Sequence, residues 1–185
     1  MSEIPEDIIN LFKRNYILAQ KLVARLRANG WYIATAESVT AGYVASFIAS
    51  VPQASQCFRG GIVAYDTSSK VQLLGLPEEL IRDTNGISSE ISQRMAEEAR
   101  SKFSAHIGLS TTGFAGPTGR EVGLVYIGVS TGKEIRVEQK NLPARLSSYQ
   151  REEIRLQASL EALLLALNTI DSVSVTTQAQ SGKGT

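Results

Sequence analysis

Within 185 residues the chain carries 19 Lys and Arg against 18 Asp and Glu, with 43% hydrophobic residues, one His and one Cys. This composition fits a single globular domain, and a net charge of +1 is too small for broad binding to nucleic acid or an anionic membrane. The lone Cys57 and lone His106 exclude a disulfide framework, a Cys-based zinc site and a multi-histidine metal centre. Hydroxyls, lysine, arginine and carboxylates are left to carry any catalysis.

The first helix is expected from Pro5, with Glu6 and Asp7 in its opening turn, to Asn29-Gly30, on apolar residues at helical spacing from Ile8 to Leu26. Trp31 to Ala36 reads as a strand, and Thr40 to Ser50 as a helix with Val44, Phe47 and Ile48 on one face. Gly60 to Tyr65 is a second strand. Short helices follow at Lys70 to Leu74 and Glu78 to Arg82, with Pro77 expected at an N1 position. Ser89 is expected to cap a helix running to Phe103. Strands at Ile107 to Thr112 and Gly123 to Ser130 come next, then a tight turn at Thr131-Gly132-Lys133 into a strand from Glu134 to Lys140. A last helix spans Ser148 to Leu167, and the Ser, Thr, Gln and Gly composition after Ile170 reads as a disordered tail, 171–185. Strands alternating with helices, plus one hairpin, predict a single three-layer α/β/α domain over 1–170 with a mixed sheet of five or six strands. No run is apolar enough to cross a membrane and no signal peptide opens the chain, so a cytoplasmic protein is expected.

Two strand ends concentrate small and polar residues. Thr35-Ala36-Glu37-Ser38-Val39-Thr40-Ala41-Gly42 passes from strand through a polar turn into a helix, where amides and hydroxyls suit an anion or simply cap the helix. Thr111-Thr112-Gly113-Phe114-Ala115-Gly116-Pro117-Thr118-Gly119 specifies a bent backbone that suits a carbonyl or phosphate, or an ordinary turn. Tyr65 and Lys70 follow the second strand closely enough to share a pocket, where a desolvated lysine can act as a base; a solvated surface lysine is the plainer reading. Arg151 and Arg155 share a helix face, beside Glu152 and Glu153, which equally suits a surface ion-pair network. Gly128-Val129-Ser130-Thr131-Gly132 fits the G-x-S-x-G pattern but sits before a hairpin rather than in a strand-to-helix elbow, and no P-loop is present.

In order, Ala36-Glu37-Ser38-x-Thr40-x-Gly42, Phe58-Arg59-Gly60-Gly61-Ile62-Val63-Ala64-Tyr65, Lys70, Thr112-Gly113-Phe114-Ala115-Gly116-Pro117 and Val122-Gly123-Leu124-Val125-Tyr126 resemble the CinA C-terminal domain family. That family includes the bacterial nicotinamide mononucleotide (NMN) deamidases, and the resemblance spans residues 10–168 in a stand-alone form. It implies an amidohydrolase that converts NMN and water to nicotinic acid mononucleotide and ammonia without a cofactor. Carried over position by position, it implies Ser38, Tyr65 and Lys70 as catalytic residues. Thr40, Ala41, Gly42, Thr112, Gly113, Ala115, Gly116 and Arg151 are implied as substrate contacts. The expected partner is a small nucleotide, with neither nucleic acid nor membrane, and related domains often associate into homo-oligomers. Ala41 stands where the family has glycine, and the loop after Pro117 is shorter than usual. A nucleotide-binding module that has lost catalysis is therefore the alternative expectation.

Overall fold

The computed structural model describes residues 3–117 and 121–181. In chain order these form α1 (Glu6–Ala28), β1 (Ile33–Glu37), α2 (Tyr43–Ala49), β2 (Phe58–Val63), α3 (Thr67–Leu74), α4 (Glu78–Thr84), α5 (Ser89–Lys102), β3 (Ile107–Gly113), β4 (Leu124–Ser130), β5 (Ile135–Asn141) and α6 (Gln150–Ser181). The strands make one mixed sheet in the order β2-β1-β3-β4-β5. β1 pairs parallel with β2 and β3, whereas β4 is antiparallel to β3 and to β5. Thr131 closes the β4–β5 hairpin by donating its amide to Glu134 O at 3.0 Å. The G-x-S-x-G stretch is thus used up in a strand and its hairpin.

Alternation along the strands sends side chains to two cores, giving the expected three layers. Ile33, Ile107, Leu109, Ile127 and Val129 pack with α1, α2 and α6, in which Leu22, Leu26, Ile48, Ile154 and Leu163 are buried. On the other face Ala34 and Ala36 pack with α3, α4 and α5 through Leu74, Ile81, Ile91 and Met95. That face is built from small residues because α5 lies almost against the strands. A Cβ at Gly108 would fall 1.9 Å from Ala96 O. Ser110 Oγ donates to Ser92 O at 2.6 Å, so a polar seam replaces side-chain interdigitation there.

Element ends differ from the sequence expectation at several helices: α2 begins at Tyr43 rather than Thr40, and α3 at Thr67 rather than Lys70, behind an Asp66 cap. Pro77 is the N-cap of α4 rather than its first helical residue. Ser88, not Ser89, caps α5, its Oγ accepting from the Ile91 amide at 3.1 Å. α6 runs on past Leu167 to Ser181, through the stretch expected to be a tail. No Gly or Pro interrupts Gln150 to Ser181, so a helix anchored on the core propagates through that stretch. The rest of that expected tail, 182–185, lies outside the described residues, as do Thr118 to Arg120 of the loop after Pro117. Among the described residues no helix is long and apolar enough to cross a membrane.

Candidate active site

The chain leaves β1 to build β2 on one side and later returns to place β3 on the other. Their carboxyl ends therefore diverge at β1/β3, the position where open α/β sheets hold ligands. Ser38 follows β1, and Gly113 to Gly116 follow β3. Between them opens a cleft of about 280 Å³ that Ser38, Tyr65, Lys70, Gly113, Ala115, Gly116 and Arg151 all border.

Lys70 is the least expected solute of this interior. It is 2% exposed, and its Nζ donates to Gly86 O at 2.8 Å, with Thr112 Oγ1 at 3.4 Å. Thr112 Oγ1 itself donates to Gly86 O at 3.0 Å, so its free lone pair faces the amine. Burial pushes the Lys70 pKa down to about 8, against a smaller upward pull from Asp66. Near neutral pH a working fraction of this amine is unprotonated, which a solvated lysine cannot offer.

Gly86 makes that arrangement sterically accessible. Asn85 and Gly86 both take left-handed backbone, at φ 51° and 69°, turning the Gly86 carbonyl inward. A Cβ at Gly86 would come 2.9 Å from Lys70 Nζ. The amine is therefore seated by a backbone group from the α4–α5 loop, a partner that no side-chain motif announces.

Tyr65 and Ser38 are arranged otherwise than a Tyr65–Lys70 pair would require. The Tyr65 side chain is half exposed, and its hydroxyl accepts from Arg151 Nη2. Arg151 Nη1 donates to Gly116 O at 2.6 Å, so this guanidinium ties the β2 end to the β3–β4 loop. The nearest acceptor of Ser38 Oγ is Tyr65 O, at 3.5 Å, which leaves the hydroxyl weakly held at the cleft wall.

The two arginines of α6 divide the two readings that their spacing allowed. Arg151 borders the cleft. Arg155 pairs with Glu152 at 3.1 Å, lies over the Tyr43 ring and donates to Thr40 O at 3.0 Å.

Thr40, Ala41 and Gly42 do not border the cleft. Glu37, 1% exposed, turns its carboxylate onto the start of α2. It accepts from Thr40 Oγ1 at 2.7 Å and from the amides of Gly42, Val44 and Ala45 at 2.8 to 3.1 Å. The charge that favours a helix N-terminus is thus supplied from within. Ala41 takes φ 49° despite its methyl, so the turn keeps the left-handed shape that glycine would give it.

A model of the CinA C-terminal domain matches residues 15–170. The chain belongs to that family. A CinA-like protein of Dictyoglomus turgidum is 37% identical over 150 residues, covering 79% of this chain and 35% of that protein. Another, from Acidobacterium capsulatum, is 37% identical over 168 residues, covering 88% and 39%. The chain therefore spans well under half the length of these relatives. Among solved structures, the CinA superfamily protein of Klebsiella pneumoniae shares the fold at a TM-score of 0.79 and 22% identity, over 85% of this chain and 98% of that one. The competence/damage inducible protein CihA of Agrobacterium tumefaciens superposes at 0.76 with 28% identity, over 91% and 99%.

In this CinA domain the family motifs thus acquire physical roles. The glutamate of Ala36-Glu37-Ser38 caps α2 and fixes the turn, the serine faces the cleft, and the threonine two places on locks the cap to Thr111 Oγ1 at 2.6 Å. Sequence reasoning assigned no role to Glu37, Asn85 or Gly86. For Glu37 a signal existed, since an acid just before a turn that opens a helix is a candidate cap. For Gly86 the Asn-Gly pair announced only a turn.

Proposed function

We propose that this CinA domain is an amidohydrolase that hydrolyses the carboxamide of NMN to nicotinic acid mononucleotide and ammonia. The observation that carries the reading is a buried amine of lowered pKa opening on the same narrow cleft as a loosely held serine hydroxyl. Such a pair performs Ser-Lys hydrolysis without histidine.

With the carboxamide in the cleft, Ser38 Oγ attacks its carbonyl carbon as the neutral Lys70 amine takes the hydroxyl proton. The carbonyl oxygen becomes an oxyanion beside the Gly113 to Gly116 backbone, where fixed dipoles stabilise it. Collapse breaks the C–N bond, and Lys70 returns the proton to the departing ammonia. Water then attacks the Ser38 ester, again giving its proton to Lys70, and releases the carboxylic acid with Ser38 restored. Gly86 O and Thr112 Oγ1 keep the amine oriented through both halves. Arg151 and Tyr65 hold the cleft wall together.

Purified protein supplied with NMN is expected to release ammonia in a coupled assay. Ser38→Ala and Lys70→Ala should each lower kcat by about 1,000-fold or more, as removal of a triad member does elsewhere. Undiminished turnover in both variants would sink these roles. Binding of NMN by calorimetry with no ammonia released would instead identify a binding module, a reading favoured by Ser38 Oγ having Tyr65 O as its hydrogen-bond partner while Lys70 Nζ donates to Gly86 O.

A further inference from the structure

Ser38 is placed by its backbone, because its side chain is barely held. The hydroxyl meets Tyr65 O at 3.5 Å, too long to fix a rotamer. Its amide donates to Thr111 O at 2.9 Å, and its carbonyl accepts from the Ala41 amide at 3.1 Å. The turn then passes through Ala41 at φ 49°, where a methyl is strained. Such a turn persists only where its surroundings over-determine it. Thr40, just before Ala41, is held on both sides. Its hydroxyl lies against Glu37 and Thr111, and its carbonyl accepts from Arg155 Nη2 at 3.0 Å and from the Tyr43 amide at 3.2 Å.

Arg155 is itself aimed. Nη1 pairs with Glu152 Oε2 at 3.1 Å, the guanidinium carbon lies 4.3 Å from the centre of the Tyr43 ring, and Tyr43 OH donates to Glu152 Oε1. The three side chains thus close a ring, arginine to carboxylate to phenol and back through the aromatic face. Burial, and next the Glu152 carboxylate, push the Tyr43 phenol up, so it stays a donor. Arg155 and Glu152 are 20% and 28% exposed, against 45% and 53% for the surface pair of Arg94 and Glu90. The ring is therefore less screened than a surface ion pair. Tyr43 opens α2 while Glu152 and Arg155 stand on α6, and none of the three borders the cleft.

We infer that Arg155, aimed by Glu152 and Tyr43, is a positioning residue for Ser38: it fixes the Thr40 carbonyl, and with it the turn that presents the hydroxyl. The inference rests on the reading of Ser38 as the nucleophile. A displacement of about 1 Å in a reacting group can cost roughly 100-fold in rate. Arg155 lies off the cleft, so its loss should fall on kcat and spare KM.

The test reads the turn and the chemistry separately, by amide hydrogen exchange and NMN turnover on the full chain. Arg155→Met keeps the length of the stem and removes the donors. Exchange of the amides of residues 38–45 should quicken at least tenfold, with β3 and β4 within twofold of the parent. Its kcat should fall at least tenfold with KM within twofold. The midpoint of its pH profile should not move, because Lys70 keeps its seat on Gly86 O. Arg155→Lys, with one donor centre in place of a fork, should recover part of the loss. Tyr43→Phe keeps the ring and drops the bond to Glu152, so it gives a smaller effect in the same direction should Arg155→Met not fold. Unchanged exchange at 38–45 in these variants, faster exchange with kcat unchanged, or a rise in KM matching the fall in kcat would each overturn the assignment. Faster exchange throughout the sheet would also overturn it, by making Arg155 a general anchor. If the parent releases no ammonia while Arg155→Met loosens 38–45 alone, the clamp on the turn stands and the amidohydrolase reading falls.

Discussion

Lys70 holds a conflict at the scale of one side chain. Its folded pKa of about 8 lies below the usual 10.5, so between those values the unfolded chain binds the extra proton. The sign follows: this group's contribution to stability is lost as pH falls through about 8 and is regained only above 10.5. If the neutral amine is the base, kcat/KM should rise through pH 8 to a plateau, and a flat profile from pH 6 to 9 would remove it from that role. Lys70→Met should abolish turnover yet raise stability at pH 7 by roughly 1–3 kcal/mol, read as a higher Tm, because Gly86 O keeps the Thr112 hydroxyl as its donor. The site is costly to the fold, as a tuned base is expected to be.

At the scale of elements, a seam of small and polar residues holds α5 almost against the sheet. Gly108 lets the Ala96 carbonyl approach β3, while the Ser92 and Ser110 hydroxyls lie 3.0 Å apart beside Gly128. Gly108→Ala would have to push α5 outward, and the loop that carries Gly86 leads directly into α5. The expected cost is about 3 kcal/mol or more in denaturant unfolding, with a loss of activity in whatever protein remains folded. Stability within 1 kcal/mol of the parent would show that the seam is looser than its geometry implies.

These elements also show what was legible in the sequence. The strand ends at Ser38 and Gly113 were readable, because small and polar residues interrupt apolar runs there. The existence and order of strands and helices followed from periodicity and turn residues, with ends displaced by a residue at Pro77 and Ser88. What could not be read is where one element lends a backbone group to another. The Gly86 carbonyl serves Lys70 from sixteen residues away, and the Thr40 carbonyl serves Arg155 across 115. Nor could a sequence show that the α2 N-terminus is filled by its own glutamate, since Glu37 turns back on amides five to eight residues ahead.

For the whole molecule, the question is where the cooperative unit ends. Ile170 is fully buried against the first core, and Asp171 pairs with Arg25 of α1 at 3.1 Å. The family match also ends at residue 170. A chain cut after Ser172 keeps Ile170 and the Asp171–Arg25 pair and should therefore unfold within about 3 °C of the parent. A cut after Leu160 removes Leu163, Ala166 and Ile170 and should leave no cooperative transition. A large drop in Tm for the first truncation would extend the folding unit into the remainder of α6.

The amine and its carbonyl seat both fall within residues 66–87, one unbroken stretch between β2 and α5. The base and the group that seats it therefore travel as a single cassette, whereas Ser38 and the Gly113 to Gly116 turn stay with β1 and β3. Exchanging that stretch between relatives would transplant the base together with its seat, whereas point changes within it must keep Asn85 and Gly86 intact or disturb the base.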